Sequence, residues 1–63
     1  MIPERDIWRA ANLLIEHRAD AEIVAALRAD EMLDRGDRDG QVVWLRIRRA
    51  IVELQAAPVG KLN

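Results

Sequence analysis

The chain contains no cysteine, serine, threonine, tyrosine or phenylalanine in its 63 residues. Without cysteine there is no disulfide and no thiolate metal site. Without serine, threonine, cysteine or tyrosine, most side-chain nucleophiles are missing outright. The single histidine, His17, rules out a multi-histidine site within one chain. No apolar run approaches the ~18 residues that a membrane span needs. The opening MIPERDIWR lacks a basic segment followed by a long apolar core, so no secretory signal is expected. The default location is therefore the cytoplasm of a bacterium. The chain has two aromatic side chains, Trp8 and Trp44.

What remains is alanine, leucine, isoleucine, valine and charge. Hydrophobic residues are 51% of the chain, too many for a disordered tail. Charged residues are 33%, too many for a bilayer segment. A chain this short forms one small domain of marginal stability. Small domains draw support from disulfides, metals or self-association. With no disulfide and no thiolate site, close helix packing and association with another chain are left. The net charge of −1 hides an asymmetry. Residues 1–43 carry ten acids and six arginines, whereas residues 44–63 carry three arginines and a lysine against Glu53. Attraction between helices, or between chains, is the simplest use of that division.

Hydrophobic spacing predicts an all-α, three-helix bundle with helices over about 3–18, 21–35 and 38–56. The expected layout is a single domain over 1–57 and a loose tail over 58–63, where Pro58 and Gly60 end helical structure. Pro3 suits the first turn of the first helix, and Glu4 and Asp6 favour its positive end. Ile7, Trp8, Ala11, Leu14 and Ile15 fall on one arc, with Leu13 on the wrong side to join them. Asp20 is placed to cap the second helix. Ala21, Ala25, Ala29 and Met32 form a ridge of mostly small residues with Leu33 beside it, while Ile23, Val24 and Leu27 form another. Val43, Trp44, Ile47, Ala50, Ile51 and Leu54 make one face of the third helix, with Gly40 on the same face. Leu45 and Val52 lie together on the other side, seven residues apart. Trp8 and Trp44 are expected to anchor the core, with Ala11, Val24, Ala25, Ala29, Ile47 and Ile51 around them.

The stretch GDRDG, residues 36–40, invites a ligand-loop reading that its chemistry does not support. A calcium loop of the EF-hand kind needs about twelve residues and a terminal acidic ligand. A phosphate loop needs a longer glycine-rich turn and a lysine followed by serine or threonine. A helix-to-helix corner explains each residue: Gly36 stops one helix, Asp37 caps the next, and Gly40 lets the two backbones approach. Trp8, Asp20-Ala21, Gly36-Asp37, Gly40, Trp44, Ile47 and Leu54 together resemble a family of short uncharacterised all-helical proteobacterial proteins, a domain of unknown function. The likeness covers about residues 6–55, and its motif is GDxxGxxxW. Ile23 and Leu27 depart from it, standing where more polar residues are usual. The resemblance implies helices and no activity.

Three function classes are weighed on these residues. For catalysis, His17 is expected off the buried face, and the one-turn pairs Glu31–Asp34 and Asp30–Asp34 need a perturbing pocket that so small a unit has little room to form. No enzyme activity, cofactor or metal is expected. For nucleic acid, Arg46, Arg48 and Arg49 are the candidate patch on the third helix, but a sequence pI near 5.7 is not that of a basic domain. This alternative, a small nucleic-acid-associated regulator, ranks second. For protein association, Leu13, Leu45 and Val52, with Ile23 and Leu27, exceed what a three-helix core consumes. The expectation is a small non-catalytic interaction module, self-associating as a homodimer, with those five residues at the interface.

Overall fold

A computed structural model of the chain describes residues 3–56, in which three helices and no strands are present: α1 (Glu4–His17), α2 (Ala21–Asp34) and α3 (Arg38–Ala56). The expected all-α, three-helix architecture is what the chain adopts, with helix bounds within a residue of the spacing-based ones. The expected tail over 58–63 lies outside the described residues.

Local chemistry accounts for where each helix starts and stops. Pro3 stands just before α1, and its carbonyl accepts from the backbone N–H groups of Asp6 and Ile7 at 3.0 and 3.2 Å. Glu4 and Asp6 in the first turn face the positive helix end, and His17 lies in the last turn. Asp20 occupies the N-cap position of α2, yet its side chain does not cap. The Arg18 guanidinium takes both of its carboxylate oxygens, at 3.1 and 3.3 Å.

The corner between α2 and α3 is built as its residues suggest. Gly36 adopts φ +78°, the left-handed conformation that glycine enters without penalty. The Gly36 N–H donates to Leu33 O at 2.9 Å and the Asp37 N–H to Met32 O at 2.8 Å, the paired bonds of a Schellman stop. Asp37 then caps α3, its Oδ1 accepting from the Gly40 N–H at 2.8 Å. Gly40 makes room for side chains and not for a backbone: a Cβ there would lie 2.6 Å from Asp37 Oδ2 and 2.9 Å from Met32 Sδ, so the Asp37 cap or the Met32 thioether would have to shift. At Gly36, by contrast, a Cβ would meet nothing within 4 Å. Gly36→Ala is therefore expected to destabilise by the backbone term alone, about 1–2 kcal/mol, read as a lower urea midpoint with an unchanged slope.

α3 is the spine of the fold. It packs along α2 most extensively and along α1 as well, while α1 and α2 touch each other little. The core is thin and rich in alanine. Ile7 and Ala11 enter it from α1, Ala21, Ala25 and Ala29 are buried on α2, and Ile47, Ala50 and Ile51 on α3. No polar or charged side chain is buried among the described residues. Small residues at four-residue spacing on α2 let its backbone come close to α3, which leaves little depth for a large ring. Trp8 and Trp44 accordingly sit half-buried at the margin of this core and do not anchor its centre. Val24 is half-buried as well.

Candidate protein interface

Among the described residues, every large hydrophobic side chain that the three helices leave exposed is aliphatic. Leu13, Ile23, Leu27, Leu45 and Val52, the five residues singled out from the sequence, are all exposed, from 38% at Val52 to 61% at Ile23. Leu33 and Val42 are also exposed, at 49% and 43%. Sequence spacing placed Leu33 beside the α2 ridge and gave Val42 no role.

These residues do not form one patch. Helical rotation of about 100° per residue sets Leu13 on the far side of α1 from Ile7 and Ala11. Ile23 and Leu27 lie one turn apart on the side of α2 away from its alanine ridge, which makes α2 only weakly amphipathic. Val42, Leu45 and Val52 share one side of α3. Between α1 and that side of α3 runs an open groove of about 470 Å³, walled by Ile7 and Trp8 on α1 and by Val42, Leu45 and Arg49 on α3.

Arginines flank this region, each engaged by a carboxylate. The Arg46 guanidinium donates to Glu4 Oε1 of α1. Glu4 Oε2 accepts from the Trp8 indole N–H at 3.0 Å, so one carboxylate ties α1 to α3 and holds the indole edge. Arg48 donates to Glu22 of α2 at 3.0 Å, and Arg49 to Glu53 of its own helix at 3.2 Å. Arg46 and Arg48 therefore point to opposite sides of α3. The three arginines, close in sequence, do not make one basic face. All of these pairs are substantially solvated, and each is worth about 0–1 kcal/mol.

Other sequence candidates are dispersed. His17 is exposed, as are Asp30, Glu31 and Asp34, and Glu31 accepts from Arg28 at 3.1 Å. Among the described residues no group of three histidine, cysteine or acidic side chains is placed to hold a metal ion. Nor is any helix there long and apolar enough to cross a membrane. Comparison of the chain with protein-family models, with curated proteins and with solved structures found no match.

Proposed function

We propose that this protein is a small, non-catalytic interaction module that associates with itself. The observation that carries the reading is the imbalance between core and surface. Among the described residues three large aliphatic side chains, Ile7, Ile47 and Ile51, are buried, whereas seven stand 38–61% exposed. Fully burying a Leu, Ile or Val side chain contributes roughly 1.5–3 kcal/mol, so covering one that is already about half shielded contributes roughly half as much, and several together are large beside the margin of so small a domain. Closed twofold assembly is the commonest way such a surface is covered. The scarcity of nucleophiles and the exposed setting of His17 favour a binding role over chemistry.

Sedimentation equilibrium from about 5 to about 500 μM tests this, the range in which a small interface makes its mass-action transition. The apparent mass is expected to rise from near the monomer value of 7.2 kDa towards twice that value. A constant 7.2 kDa over the whole range would remove self-association.

A further inference from the structure

We propose that Met32 is a modification site: peroxide converts its thioether to the sulfoxide, and that one added oxygen unfastens the corner between α2 and α3. The step does not depend on the self-association proposed above, since every residue in it belongs to one folded chain.

Met32 follows Ala25 and Ala29 on the ridge of α2 that faces α3. Unlike those two alanines it is only half-buried, so a small oxidant can reach it. The chain has no cysteine to compete for that oxidant, and its other methionine is Met1.

Two parts of Met32 serve the corner. Its carbonyl accepts from the Arg35 N–H at 3.1 Å and from the Asp37 N–H at 2.8 Å, so it holds the stop of α2. Its Sδ lies against Gly40 in the first turn of α3, where a Cβ would be 2.9 Å from Sδ and 2.6 Å from Asp37 Oδ2. The thioether and the Asp37 carboxylate thus border the same narrow space. That carboxylate is also the cap of α3, its Oδ1 accepting from the Gly40 N–H at 2.8 Å.

In the oxidation a sulfur lone pair attacks one oxygen of hydrogen peroxide. The O–O bond breaks, an S–O bond forms, and the second oxygen leaves as water with both protons. Sulfur gives up two electrons and peroxide takes them. A flexible apolar side chain becomes a polar one whose oxygen carries partial negative charge. Aimed into the corner, that oxygen enters a space too narrow for one more carbon and opposes the Asp37 carboxylate. Aimed at water, it draws the side chain off the ridge and uncovers the seam beside Ala29. Either way the stop of α2 and the cap of α3 weaken together. Methionine sulfoxide reductases, one for each epimer, reverse the change, so the corner can be refastened.

The test treats the whole chain with hydrogen peroxide at a dilution where the monomer dominates. Peptide mass mapping locates the added oxygen, and circular dichroism follows thermal unfolding. Met32 sulfoxide is expected to lower the melting temperature by at least about 5 °C. Treatment with both reductases is expected to restore it. Met32→Leu keeps Met1 and is expected to melt at one temperature before and after peroxide. Should that variant not fold, partly oxidised wild type gives the same reading: the fraction melting early must equal the fraction of Met32 sulfoxide. Asp37→Asn keeps a capping oxygen and replaces the opposing charge with an amide donor, so it is expected to at least roughly halve the fall. An equal fall in Asp37→Asn overturns the part given to the carboxylate. Met32 that resists peroxide in the folded chain, a sulfoxide that leaves the melting temperature unchanged, or an equal fall in Met32→Leu overturns the site.

Discussion

Ile51→Ala is expected to lower stability by about 2–5 kcal/mol, enough to leave much of a marginal domain unfolded at room temperature. Ile51 is the one large side chain among the described residues with no exposed surface. The buried cluster around it holds Ala11, Ala21, Ala25 and Ala50. Alanines have no rotamers with which to refill a vacated volume, and the backbones behind them are fixed by the helices on which they sit. Of the buried neighbours only Ile7 and Ile47 have side chains that can shift towards the vacated volume. Val52→Ala, one residue along but 38% exposed, serves as the comparison. Measured where the monomer dominates, it is expected to change stability by less than about 1 kcal/mol. Urea unfolding followed by circular dichroism gives both numbers. A loss below about 1 kcal/mol for Ile51→Ala would mean that the packing is centred elsewhere.

The features most legible in the sequence are those decided within a few residues. Gly36 and Asp37 end α2 and begin α3 because positive φ and an N-cap carboxylate are properties of single positions, and both take the roles expected of them. Asp20 shows where that logic stops. Its place at the start of α2 was legible, but Arg18, two residues earlier, competes for the same carboxylate and takes it from the backbone. Spacing also gives angles about one helix without giving the width that its neighbours cover. Leu45 and Val52 lie far from the core face, so spacing alone sets them outside the core, and both are exposed. Val42 lies on the same side of α3 but nearer its edge, and needed the observed position of α1 to be seen as open. Arg46, Arg48 and Arg49 crowd together in the sequence, and about 100° of rotation per residue sends Arg46 and Arg48 to opposite neighbours. The tryptophans depart from the core positions expected of them for a related reason. Size suggests a core anchor, but a seam lined by alanine has no pocket for an indole, and the Trp8 N–H meets Glu4 at the margin.

Ala25→Leu is the complementary experiment, adding volume where Ile51→Ala removes it. Ala25 has no exposed surface and stands between Ala21 and Ala29 on the ridge that faces α3. Leucine adds three carbons to a seam with no space for them. α2 and α3 must separate or the new side chain must leave its preferred rotamers, at about 1–3 kcal/mol. Leucine is almost as good a helix former as alanine, so propensity supplies little of that loss. For a domain of this size, each kcal/mol moves the melting temperature by about 4–8 °C, giving an expected fall of roughly 5–20 °C. Separation of the helices also pulls Arg48 from Glu22, now 3.0 Å apart, but that solvated pair adds only a few tenths of a kcal/mol. The decisive contrast is with Leu27, two residues along the same helix and 56% exposed. Leu27→Ala removes as many carbons as Ala25→Leu adds, and its melting temperature is expected to move by no more than about 3 °C. If the two variants moved the melting temperature equally, side-chain volume in α2 would not matter by position. The close approach of α2 to α3 could not then be what the alanine ridge is for.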